Sequence, residues 1–324
     1  MASVRPLEVE VRPPWPYRLP SRLGMDAVAR RRGGVVSRLL ALGDERVVVH
    51  AWQPERARVR LRAVPADGHD LRSESLELAV ERMRFALAVD DDLTEFARTF
   101  RGDPLIGTAI HHRPWLRPKR RAWPWEALVW AITEQLIEAR RAGEIQRRAV
   151  YRWGGRLEPS EESAWRGPGP LRDVPSPGTV AGLAPAELAA IDLAPKRAVA
   201  MVKVAREVAA GRVDCNRAAD DHRLLAITDI GPWTVQILGY SGRGDPDSLP
   251  AGDLAYVKLV GLLAGLGRRA TVEEVEEYFA PYAPFRGLAG SFALARWHGA
   301  VAQGPPLGRA ALGQAGAVGY GARR

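Results

Sequence analysis

The hydrophobic period changes once along the chain, near residue 90, and that change limits the fold more than any other feature. Residues 6–12 (LEVEVRP), 46–52 (RVVVHAW) and 57–64 (ARVRLRAV) alternate apolar and polar side chains, the period of half-buried strands. An antiparallel sheet is therefore expected in the first quarter. Leu76, Ala79, Val80, Met83 and Leu87 then follow helical spacing, and the periodic segments from there to about residue 300 are helical. The expected class is α+β, mainly α: an N-terminal antiparallel sheet domain over 1–90 and an all-α body over 91–300. The best helical pattern spans 125–142, with Trp125, Leu128, Val129, Ile132 and Leu136 on one stripe. Further helices are expected over 186–192, 196–210, 218–226, 232–240, 253–265, 271–279 and 287–299, separated by Pro/Gly loops such as 167–178. Residues 301–324 are Gly/Ala-rich with little to bury and are expected to form a flexible tail.

Length agrees with this division, because 324 residues suit about two domains. Lys and Arg number 47 against 38 Asp and Glu, a net charge of +9, so a polyanionic partner is expected. The single cysteine, Cys215, excludes an intramolecular disulfide framework and a four-cysteine zinc site or iron–sulfur cluster. It suits a reducing compartment, and a cytoplasmic location is expected. The first residues contain no apolar signal-like run, and the most apolar later stretch is interrupted by Lys258. Neither export nor membrane insertion is expected. His111, His112, His222 and His298 lack metal-ligand spacing, and Walker, dinucleotide and nucleophile-elbow glycine patterns are absent.

The segment from Asp220 to Val260 carries the chemistry. A helix with Leu224, Leu225 and Ile227 runs into a tight turn at Thr228-Asp229-Ile230-Gly231, and Pro232 stands where proline opens a new helix. This is a helix–hairpin–helix, whose second helix begins with backbone N–H groups able to face a phosphate. Asp253 follows Gly231 by 22 residues and opens another helix in the frame L-P-A-G-D-L. That carboxylate is either a helix cap or a reactive group beside the hairpin.

These residues resemble the helix–hairpin–helix DNA glycosylases, and among them the bacterial 3-methyladenine DNA glycosylase II (AlkA) type. The matching frames are I-G-P-W-T at Ile230–Thr234, L-P-x-x-D-L ending at Leu254, D-P-L-I-G at 103–107, the helix 125–136 ending in Gln135-Leu136, P-S-P-G-T at 175–179, and P-F-R-G-L-A at 284–289. The resemblance covers about residues 100–300 and implies a helical body of two lobes around a cleft. It makes Asp253 the catalytic aspartate and Ile230, Gly231, Trp233 and Thr234 the phosphate-binding hairpin. Gln135 and Leu136 become the DNA wedge, although Leu136 equally continues the apolar stripe from Trp125. Trp233 and Trp297 become walls of the lesion-base pocket, able to stack on a cationic alkylated purine. The carbonyls of Leu225, Ile227 and Ile230 become holders of a structural monovalent cation; no other cofactor is implied.

Bifunctional relatives place a nucleophilic lysine where this chain has Trp233. The resemblance thus implies a monofunctional enzyme acting as a monomer on double-stranded DNA with damaged bases. Two departures stand out: Asp229 replaces the hairpin's first glycine, and Thr133-Glu134 precedes Gln135. They keep open a non-catalytic lesion-binding protein on the same scaffold, and pocket shape leaves open a glycosylase for deaminated or oxidised bases.

Overall fold

The structure is a computed structural model and describes residues 6–21, 23–66, 71–160 and 163–303. In chain order the elements are β1 (Leu7–Val11), β2 (Ala29–Arg32), β3 (Val35–Leu42), β4 (Glu45–Glu55), β5 (Arg58–Pro65) and α1 (Ser73–Leu87). They continue with α2 (Thr94–Phe100), α3 (Gly107–His112), α4 (Pro124–Glu134), α5 (Ala139–Trp153), β6 (Arg156–Leu157) and β7 (Leu171–Arg172). The remaining helices are α6 (Pro177–Ala181), α7 (Pro185–Ala189), α8 (Pro195–Ala209), α9 (Asp221–Leu225), α10 (Pro232–Ile237), α11 (Leu254–Leu263), α12 (Val272–Phe279) and α13 (Arg286–Gln303). The tail expected from residue 301 lies outside the described residues from 304 onward.

Two compact units make up the chain, each from two stretches: Met1–Asp91 with Lys119–Arg243, and Asp92–Pro118 with Gly244–Arg324. In the first unit the five strands form an antiparallel sheet in the order β1-β5-β4-β3-β2. Leu76, Ala79, Val80, Met83 and Leu87 of α1 pack on one face of it with Val47, Val49, Leu61 and Ala63. Leu39 and Val48 on the other face meet Leu157, Trp165 and Leu171. Because both faces are covered, Val36 to Leu40 of β3 are all buried, which erases the alternation that marks a half-exposed strand. This strand is consequently absent from the periodicity reading, and β2 is absent because its Ala-Arg-Arg-Arg sequence has no alternation.

The helix expected over 125–142 is broken. α4 ends at Glu134, Leu136 lies in the left-handed region at φ +53°, and α5 starts at Ala139. A left-handed residue cannot continue a right-handed helix, so the stripe matched at Leu136 is accidental. α4 is buried around its circumference, with Trp130, Leu128 and Ile132 at its centre, and Trp125 Nε1 donates to the Pro175 carbonyl at 2.8 Å.

The first turn of α4 is tied to the sheet by buried charge. Arg38 of β3 meets Glu126 at 2.5 Å and Asp173 at 3.6 Å, while Arg121 meets Asp26 at 2.6 Å and Glu126 at 3.5 Å. Burial works against the Arg38 charge, but Glu126 and Asp173 outweigh it and raise its pKa. Burial also raises the Asp173 pKa, against the pull of Arg38. These contacts fix α4, and so the place where its far end emerges.

In the second unit α11 packs on α12 and α13, and α13 on α3. Thr271 and Glu274 form a capping box at the start of α12. Arg286 at the start of α13 grips Asp247 through its side chain, with Nε at 2.9 Å and Nη2 at 2.5 Å, and through its backbone amide at 3.0 Å. The loop leading to Asp253 is thereby anchored at one point.

Candidate active site

The helix–hairpin–helix lies in the first unit as α9, the turn to Gly231, and α10. Pro232 is the first residue of α10 and Gly231 is its N-cap. Asp229, standing where the resembling family has glycine, adopts φ +70°; aspartate is one of the few other residues that tolerates this region. Gly231 has ordinary backbone angles, and a Cβ built there would meet nothing within 4 Å. Nothing in the fold therefore requires glycine at 231. Glycine serves there as an N-cap, and the open space over it leaves its backbone accessible to an external group.

Next to the hairpin, the end of α4 forms a corner with two opposite faces. Gln135 turns inward: its Nε2 donates to the Asp229 carbonyl at 3.0 Å and to the Thr234 hydroxyl at 3.0 Å. Leu136 turns outward and is 98% exposed, against 53% for the next most exposed large apolar side chain among the described residues. Exposure so complete removes Leu136 from the core. Glu134 does not stand as a bare charge, since its Oε1 accepts from Gln146 at 2.9 Å and faces Arg121 at 4.0 Å. Ile230 and Thr234 have buried side chains, so any ligand of the hairpin meets backbone there. The Ile227 carbonyl accepts the Ile230 amide at 3.0 Å, closing the turn on itself.

Asp253 belongs to the second unit and is the N-cap of α11, its Oδ1 accepting from the Ala255 amide at 2.8 Å. The carboxylate is partly buried and its orientation is set by that hydrogen bond. Trp297, also partly buried, lies on α13, which packs on α11 in the same unit. The structure thus brings together Gln135, Leu136, Asp229, Gly231 and Thr234 in one unit, and sets Asp253 and Trp297 on neighbouring helices of the other.

Of the basic side chains flanking α4, Arg120 pairs with Asp91 at 2.6 Å and Arg121 joins the buried network, so both are structural. Arg140 is exposed and pairs only loosely with Glu144, at 3.5 Å. Cys215 is buried, and burial pushes its thiol up to about 12, which leaves it unreactive. Among the described residues no cluster of three or more His, Cys, Asp or Glu is arranged to hold a metal. No described helix is long and apolar enough to cross a membrane. The link from Gln135 to the hairpin was invisible in the sequence because its partners stand 94 and 99 residues away.

No family model matches the chain. It is 23% identical over 261 residues to the DNA-3-methyladenine glycosylase of Bacillus subtilis, covering 79% of this chain and 84% of that protein. It is 26% identical over 276 residues to a Mycobacterium tuberculosis protein described as a probable bifunctional transcriptional activator/DNA repair enzyme AlkA, spanning 85% of this chain but 53% of that longer one. The fold is similar to the 3-methyladenine DNA glycosylase of Archaeoglobus fulgidus, with a TM-score of 0.74 at 17% identity over 89% of this chain and 97% of that one. It is also similar to the 8-oxoguanine glycosylase/lyase of Clostridium acetobutylicum in complex with double-stranded DNA, with a TM-score of 0.60 at 12% identity over 84% and 97% of the two chains. The N-terminal sheet and the helical body with its hairpin make up the fold shared with these structures. The chain thus shares its fold with DNA glycosylases and is similar in sequence to proteins described as DNA-3-methyladenine glycosylase and AlkA.

Proposed function

We propose that this protein is a monofunctional DNA glycosylase that hydrolyses the N-glycosidic bond of alkylated purines of the 3-methyladenine type, acting as a monomer on double-stranded DNA in base excision repair. The observation that carries the reading is the corner at Leu136: an almost fully exposed leucine, tied through Gln135 to a hairpin whose Gly231 backbone faces open space. A base must leave the duplex before its glycosidic bond can be reached, and an apolar side chain entering the stack holds the gap open. The hairpin holds the backbone of the same duplex by contacts that ignore sequence.

As the bond breaks, positive charge develops on the sugar, and a fixed carboxylate stabilises it and orients the attacking water. Asp253 is assigned that role. Capping and catalysis are compatible in one carboxylate, because the cap occupies Oδ1 and sets the direction of the group. A base already carrying positive charge leaves readily, so no strong general acid is required, and Trp233 and Trp297 stack on it. With Trp233 in the place of a lysine, no Schiff base forms and the product is a free base with an intact abasic site. The similarity to both DNA-3-methyladenine glycosylases supports the alkylated substrate.

The decisive variant is Asp253→Asn. Asparagine caps a helix as well as aspartate, so folding is retained while the charge is lost. Release of 3-methyladenine from alkylated duplex DNA should fall about a hundredfold to a thousandfold, with abasic-site binding preserved. Unchanged turnover would move catalysis elsewhere. Absence of release by the wild type beside an active control would leave a lesion-binding protein, and release confined to oxidised or deaminated bases would overturn the substrate. Borohydride should trap no covalent DNA adduct.

A further inference from the structure

A second basic site, unconnected with the hairpin, surrounds Tyr151 at the far end of α5. Tyr151 lies 12 residues into the helix from Ala139, about 18 Å along its axis at 1.5 Å per residue. The Arg172 guanidinium sits over the phenol ring, 4.3 Å from its centroid, and its Nη1 donates to the Tyr151 carbonyl at 3.0 Å. Arg30 donates to the Tyr151 hydroxyl at 3.3 Å. Arg156 stands directly opposite Arg172 in the pairing of β6 with β7.

This arrangement is costly for the fold alone. Like charges directly opposite across two strands destabilise a sheet, and Arg172 is only 7% exposed, so its charge is poorly hydrated. Among the described residues Glu158, which pairs with Arg156, is the carboxylate that acts on Arg172. Among the described residues Arg30, Arg156 and Arg172 with Glu158 carry two positive charges in excess. The Nε atoms of Arg30 and Arg172 are both buried without a hydrogen-bond partner among the described residues. Burial first, and then the Arg156 and Arg30 charges, lower the Arg172 pKa. Access is nevertheless open: the Arg156 side chain is 56% exposed and Tyr151 46%.

The geometry points to a binding site for a phosphate-class anion, held by Arg30, Arg156 and the Tyr151 hydroxyl over the buried charge of Arg172. Arginine suits such a ligand because its planar fork matches two phosphate oxygens at once. The anion comes either from nucleic-acid backbone or from a free phosphorylated molecule, and the assignment does not depend on the glycosylase reading.

The test titrates the whole protein with sodium phosphate, following its melting temperature against sodium chloride at equal ionic strength. Arg30→Gln and Arg156→Gln are the variants, both at sites open enough to tolerate the change. A saturable phosphate-specific rise is expected in the wild type, with affinity about tenfold weaker in each variant, the loss expected for one charged hydrogen bond. Equal response to chloride, or the same phosphate response in both variants, would overturn the site. A second arm measures binding of an undamaged 20-base-pair duplex over a salt series. If the variants flatten the salt dependence by about one released counterion, the anion is DNA backbone. If duplex binding is unchanged while the phosphate effect is lost, it is a free phosphorylated ligand.

Discussion

The two ends of α4 handle polarity in opposite ways. At its first turn Glu126 is completely buried, and two arginines and two further carboxylates surround it. At its last turn a polar side chain, Gln135, folds back into the protein while an apolar one, Leu136, is left in water. The first end spends charge to hold a helix in place, since buried ion pairs are weakly stabilising in themselves but costly to break. The second end inverts the ordinary distribution of residues, and does so at a left-handed position costing roughly 1–2 kcal/mol. Holding one end rigidly is what allows the other to keep an unfavourable arrangement, which is how strained positions persist at functional sites.

The largest expected effect lies at the buried end. Glu126→Gln removes the anion facing Arg38 and Arg121 and should lower stability by about 3–5 kcal/mol, read from urea midpoints. Retention of wild-type stability would mean that the network does not anchor α4. Next comes Gln135→Ala, which deletes two hydrogen bonds of about 1 kcal/mol each. Stability should fall by roughly 1–2 kcal/mol and excision should fall with it, whereas DNA affinity should change little, because the hairpin still meets phosphate. A loss confined to affinity would show that Gln135 contacts DNA instead of positioning the corner.

Leu136→Ala should separate the two ends most cleanly. An almost fully exposed side chain contributes little to folding, so stability should stay within about 0.5 kcal/mol. Excision should drop about tenfold, near 1.4 kcal/mol of barrier, because the displaced base is no longer replaced in the stack. A fall in stability with unchanged excision would return Leu136 to a packing role.

The sequence disclosed these ends unequally. Asp253 and the hairpin were legible because caps and turns are local: Asp253 caps α11, Pro232 opens α10, and Gly231 closes the turn from α9 into α10. The strands β1, β4 and β5 showed their alternation, but β3 did not, with Val36, Ser37, Arg38, Leu39 and Leu40 all buried between two packed layers. Likewise α5 escaped notice beyond residue 142: its arginines mask the buried Ile145, Ala149 and Val150. Leu136 happened to complete a helical stripe, and no local pattern can reveal that its backbone is left-handed. Arg38 and Glu126 are 88 residues apart, so their pairing is a property of the fold alone.

The smallest effect is in pH dependence, and it probes how dry the buried end is. Burial holds Asp173 above the ordinary carboxylate range, with Arg38 and the Ala41 and Val174 amides opposing. The folded state therefore binds a proton more tightly than the unfolded chain, whose aspartates titrate near about 3.9. Between that value and the raised folded one, stability falls as pH rises; relative to Asp173→Asn, the wild type should lose stability across this interval and then level off. Glu274 behaves oppositely: the Arg268 side chain and the Thr271 amide lower it to about 2, so its contribution is present above the ordinary glutamate value and is lost on acidification. Urea midpoints from about pH 4 to 7, repeated in a Glu274→Gln background, isolate the Asp173 slope. A flat difference there would mean that water reaches Asp173, and that the two ends of α4 differ in shape more than in dielectric environment.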